Sequence, residues 1–192
     1  MRNMLLSILG MILIANQSFG QFYKVVSSSP EFSDAISKIV IDFRFNFKNI
    51  QGEQIAKQGS SETYSCNVVI PGAIETFIFQ YNSKVDTTAS VQAIMFKSDD
   101  YKSAAKKYTE LFKMLKRTQI RWIDKSYVSF KGDFQKPSEE IRFASSTLGF
   151  DLNDERYDNF TVDVEMVSNY SGWMVNMNLQ TKKKDFSKDA DY

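Results

Sequence analysis

The chain predicts an α+β fold: a curved antiparallel sheet with two helices on one face, in the order α-β-β-β repeated twice. Three observations carry that expectation. Two stretches repeat apolar residues at three- and four-residue steps, as an amphipathic helix requires. Several others alternate apolar and polar residues with period two. That alternation is one-sided, which fits antiparallel strands with one wet face better than buried parallel ones.

The first helix opens at Ser28-Ser29-Pro30-Glu31, where a serine caps, Pro30 fits the first turn and Glu31 suits the positive end of the dipole. Phe32, Ile36, Ile39, Val40, Phe43, Phe47 and Ile50 form its stripe, so the spacing predicts helix over 30–48. Three strands are expected next. In 62–70, Tyr64, Cys66, Val68 and Ile70 share one side before the turn at Pro71-Gly72. In 76–81, Phe77, Phe79 and Tyr81 share one side and Ile78 takes the other, and 90–96 completes the set.

Ser98-Asp99-Asp100 starts the second helix, with Tyr101, Ala104, Ala105, Tyr108, Leu111, Phe112 and Leu115 on its apolar face. Lys116 and Arg117 complement its negative end. Short strands are expected at 121–123, 127–130 and 140–144. Longer ones are expected from Phe160 to Met166 and through Trp173, Val175, Met177 and Leu179, joined by a hairpin at Asn169-Tyr170-Ser171-Gly172.

The first twenty residues read differently. Arg2 gives a positive end, Met4 to Ala15 an apolar run, and Ser18-Phe19-Gly20 a small-residue cleavage point before Gln21. That is the layout of a secretory signal peptide. The run falls well short of the roughly 20 apolar residues that a spanning helix needs, so no stable membrane span is expected. The expected organisation is a signal at 1–20, a single α+β domain at 21–181 with a possible internal duplication (28–97 and 98–181), and a polar tail at 182–192. The expected address is periplasmic or extracellular.

Composition removes whole classes of chemistry. With 24 basic and 23 acidic residues the chain lacks the basic excess of a nucleic-acid binder. Cys66 is its only cysteine, so no intramolecular disulfide forms, and its parity with Tyr64 and Val68 suggests a small buried hydrophobe. There is no histidine, which excludes a Ser-His-Asp triad, a Cys-His dyad and any histidine-bearing zinc site. No cofactor is expected.

The remaining motifs carry little. The segment 151–158 begins like a calcium loop, but Arg156 stands where the sharp turn wants glycine and Val162 where the closing glutamate belongs. Glu75, Asp86, Asp163 and Glu165 are carboxylates for acid–base work, yet nothing in the sequence brings two together or adds a nucleophile. Lys106 and Lys113 belong to a basic side of the second helix, a solvated face or a contact surface. Phe77, Phe79, Tyr81, Trp122 and Trp173 read first as core under the helices, and second as a ligand or partner surface.

Phe47-Lys48-Asn49-Ile50-Gln51-Gly52, Val69-Ile70-Pro71-Gly72-Ala73 and Ala104-Ala105-Lys106-Lys107-Tyr108 together resemble small exported α+β proteins of Gram-negative bacteria. That resemblance implies no activity. The repeated α-β-β-β order is also similar to secretion-chaperone folds, whose cytoplasmic role conflicts with a signal peptide. The leading expectation is an exported, non-catalytic binding or interaction protein whose partner is an envelope protein. It would use an open sheet face or an exposed strand edge. The alternative is a carrier of a hydrophobic small molecule held between sheet and helices. An enzyme limited to carboxylates and lysines comes third.

Overall fold

The computed structural model describes residues 28–82, 87–150, 152 and 154–181. The signal segment, the polar tail and Asp86, Asp151 and Asn153 lie outside the described residues. Two helices, α1 (Pro30–Asp42) and α2 (Tyr101–Arg117), pack on one antiparallel sheet. That sheet has eight strands and is not closed. Its strands are β1 (Gln51–Gln58), β2 (Ser61–Cys66), β3 (Glu75–Asn82), β4 (Thr87–Ser98), β7 (Lys131–Gly132), β8 (Phe143–Gly149), β9 (Phe160–Asn169) and β10 (Gly172–Thr181). A separate hairpin is formed by β5 (Gln119–Arg121) and β6 (Tyr127–Ser129).

Spatial order explains the architecture. It runs β1-β2-β3-β4-β10-β9-β8-β7. Each helix is therefore followed by a meander, and the last strands of the two meanders, β4 and β10, meet antiparallel at the centre. The repeat is longer than expected, with four sheet strands per half in place of three. β1 is the strand that alternation misses: Gln51–Gln58 lies at the sheet edge and is largely exposed, so neither face demands apolar residues.

One row of cross-strand partners shows where the core sits. Tyr64, Ile78, Val91, Leu179, Val162 and Leu148 are successive partners from β2 to β8. Every member from Ile78 to Leu148 is fully buried, and all pack into one cluster with Ile36 and Ile39 of α1 and Leu111 and Leu115 of α2. Cross-strand neighbours share a face, so this row fixes the orientation of each strand it crosses.

Local chemistry sets the boundaries. Ser29 caps α1 through the Phe32 amide (3.2 Å), and Asp100 caps α2 through Ser103 (2.8 Å). Helix α1 stops at Asp42 and passes through a short 3-10 turn (Phe43–Phe45), so it is shorter than its apolar spacing suggests. The buried Asp42 carboxylate accepts the Asn49 backbone N–H (3.0 Å) and side-chain Nδ2–H (2.6 Å). These bonds fold the chain back, with Asn46 and Phe47 at positive φ, and drive Phe47 fully into the core. The strand expected at 62–70 ends at Cys66, and the one expected at 140–144 is displaced to Phe143–Gly149. Polar Ser145, Ser146 and Thr147 hide the second from a pattern search. At the β9–β10 hairpin, Gly172 has φ 115°, and a Cβ there would stand 2.6 Å from the Ser98 carbonyl oxygen.

Candidate functional site

The aromatic residues of β3 lie on the face opposite the helices. Ile78 pairs with Tyr64 and Val91 beneath the helices, so Phe77, Phe79 and Tyr81 project the other way. This corrects the core reading of these three residues. The inward positions beside Ile78 are Thr76 and Gln80, and Gln80 is buried with its amide donating to Gln51 Oε1 (3.2 Å). Counting aromatics on one parity fails because the strand fills its inner face with a single isoleucine, Thr76 and the hydrogen-bonded Gln80. Phe77 and Phe79 are half-buried against each other, with ring centroids 6.3 Å apart, and Tyr81 is 54% exposed.

The same face continues as a polar ladder. Phe77, Gln92, Asn178, Asp163 and Thr147 are successive cross-strand partners. The Gln92 amide donates to Asn178 Oδ1 (2.9 Å), and Asn178 donates to Glu165 Oε2 (2.8 Å). Asp163 accepts from Gln180 Nε2 and from Thr147 Oγ1, each at 2.6 Å. Asp163 and Glu165, two of the carboxylates singled out in the sequence, are thus held by neighbouring side chains along the sheet. Glu75 stands 3.8 Å from Lys97 at the surface. Buried Asn176 on this face leaves its Oδ1 without a hydrogen-bond partner.

A second surface forms on the helix side, where Lys106 and Lys113 lie. They flank a groove of about 550 Å³ between α2 and the extended segment 134–137. Tyr101, Ala105 and Thr109, spaced by four, form one wall, and Phe134 and Pro137 form the other. The far wall is tied down at several points. Tyr101 Oη donates to the Pro137 carbonyl (3.0 Å), Tyr108 Oη to that of Gln135 (3.1 Å) and Lys116 Nζ to that of Gly132 (3.1 Å). Fully buried Tyr108 also bonds Ser146 Oγ, which accepts the Gln135 backbone N–H (2.9 Å). Burial pushes the Tyr108 phenol up from its ordinary value, keeping it protonated as a donor. The Phe134 ring rests on Tyr108 and Phe112, with centroids 5.6 and 5.2 Å away.

The two tryptophans join neither surface directly. Trp122 sits edge-on to Tyr157 (4.6 Å) in an aromatic cluster with Phe150 and Phe160 that closes one end of the core. Trp173 packs edge-on against Tyr101 (5.2 Å), behind the groove wall. The structure thus gathers Lys106 and Lys113 at one site, Phe77, Phe79 and Tyr81 at another, and uses the tryptophans as packing. Spacing along the chain pointed to the lysines and the β3 aromatics. Phe134, Lys136 and Pro137 carry no periodic signal and became visible only through the segment's bonds to α2.

Cys66 is half-buried at the end of β2, and burial pushes its thiol up from the ordinary value, so it stays protonated at neutral pH. Asp154, in the calcium-like segment, is engaged by Arg156 at 2.6 and 2.8 Å. No family model matches the chain, and neither does any curated protein or solved structure.

Proposed function

We propose that the protein is an exported, non-catalytic binding protein that engages an envelope protein through the open face of its sheet. The observation that carries this reading is the placement of Phe77, Phe79 and Tyr81. Aromatic residues are costly to leave beside water, and they are typical anchors of protein interfaces when a polar surround is at hand. Here the ladder of Gln92, Asn178, Asp163 and Glu165 supplies that surround. The space between helices and sheet is occupied by fully buried side chains such as Ile36, Ile78, Leu115 and Met177, which favours a surface contact over an internal carrier cavity. Export rests on the signal-like layout of residues 1–20.

Two measurements test the reading. An envelope extract passed over the mature protein should yield a partner that a Phe79→Ser/Tyr81→Ser variant of unchanged melting temperature fails to retain. Equal recovery by both proteins refutes a role for this face. N-terminal sequencing of protein from the envelope fraction should find Gln21 or a blocked end, and an intact Met1 refutes export by cleavage.

A further inference from the structure

The groove along α2 carries chemistry that the sheet-face reading does not use. We propose that it binds a free single-chain anionic amphiphile, with the acyl chain along the apolar walls and the acid head at the lysines. The proposal rests on three independent features of the groove.

First, the site is pre-formed. The segment 134–137 is fixed to α2 and β8 by the bonds of Tyr101, Tyr108 and Ser146, so ordering a ligand there does not require ordering the wall as well. Second, its size and lining suit a small molecule with an apolar body. A volume of about 550 Å³ falls within the roughly 300–1,000 Å³ of ligand sites. Small Ala105 and Thr109 leave the space, and Phe134, 40% exposed, offers the part of its ring that does not rest on Tyr108 and Phe112. Thr109 turns its hydroxyl back to the Ala105 carbonyl (2.8 Å) and so presents its methyl side.

Third, the charges are unbalanced. Lys106, Lys113 and Lys136 line the groove with a single carboxylate, Glu110. No ion pair with a described carboxylate holds any of the three lysines. Lys106 and Lys113 are seven residues apart, roughly 10 Å along the helix axis, with Glu110 between them. An acid head at either lysine therefore meets a positive rim, whereas a neutral head gains nothing from it. A bare anion, in turn, leaves the aromatic wall uncovered. The chemistry that uses both is an amphiphile with one acidic group.

Calorimetric titration of the mature protein with dodecyl phosphate and dodecanoate, each below its micellar concentration, tests this. One-to-one binding of both is expected. Reversing charge in Lys106→Glu/Lys113→Glu, at exposed positions and with the melting temperature checking that the fold is kept, should weaken it roughly tenfold. Filling the groove with Ala105→Leu should weaken it while leaving the lysines in place, with the melting temperature checking that the helix still docks. Dodecyl maltoside binding as tightly as dodecyl phosphate overturns the proposal. So does inorganic phosphate competing at the same site, or undiminished binding by the charge-reversed variant. Capture on phosphatidylglycerol vesicles without saturable binding of the monomeric amphiphiles also overturns it, in favour of a membrane surface.

Discussion

Truncating Ile78 to alanine distinguishes the two possible orientations of β3. The side chain is fully buried between Tyr64 and Val91 under the helices, so Ile78→Ala removes three carbons from a packed site. Transfer alone costs about 0.8 kcal/mol per carbon, and the residual cavity raises the total to roughly 2–5 kcal/mol. For a chain of this length each kcal/mol lowers the melting temperature by about 2–4 °C, so a drop of at least 4 °C is expected. Tyr81→Ala, at a position 54% exposed, should stay within about 0.5 kcal/mol of the parent. Urea unfolding followed by tryptophan emission suits the comparison, because Trp122 and Trp173 both pack against the core and report its exposure. Had the three aromatics faced the helices, the order would reverse, with Tyr81→Ala costing about 3–5 kcal/mol. A Tyr81→Ala loss equal to or larger than that of Ile78→Ala refutes the assigned orientation.

Tyr108→Phe deletes the hydroxyl that joins Ser146 to the Gln135 carbonyl, and should cost about 0.5–1.5 kcal/mol, the net worth of a lost hydrogen bond, because Ser146 keeps the Gln135 N–H. Hydrogen exchange should show the Gln135 amide losing protection in that variant, and unchanged protection refutes its anchoring role. Glu62 accepts hydrogen bonds from Lys57 first and then from Tyr64, which hold its carboxyl below the ordinary 4.5. A lowered carboxyl contributes stability that is present above 4.5 and is lost as pH falls through the folded value. Glu62→Gln should therefore flatten the acid limb of melting temperature against pH below that point, and parallel curves for variant and parent count against the coupling.

Legibility followed how completely one face of each element was buried. Helix α2 and strands β9 and β10 were readable because their inner faces are uniformly apolar, with Val162, Val164 and Met166 facing Leu179, Met177 and Val175. Strand β1 was not, since an edge strand with both faces wet has no hydrophobic period to detect. Spacing makes helix α1 read too long because Phe47 does join the core, but through a left-handed turn held by Asp42 and Asn49. At the groove, Lys106 and Lys113 stood out on a helix whose faces were already known. Their opposite wall depends on hydrogen bonds between Tyr108, Ser146 and Gln135, partners far apart in the chain that no local pattern links.

The antiparallel seam between β4 and β10 also shapes how the chain reaches this structure. It pairs residues as distant as Val91 and Leu179, and the first meander cannot complete its inner face until the last strand has arrived. Such non-local pairing is slow, because loop-closure entropy is lost before the contacts that offset it form. During synthesis the first half emerges alone, with β4 paired to β3 on one side only and its other edge, beside Val91, Ala93 and Met95, ready for a partner. A second chain at the same stage presents the complementary β10 later, so two molecules have the means to exchange halves across the seam. The most vulnerable moment for this protein therefore falls between the appearance of its fourth strand and the docking of its tenth.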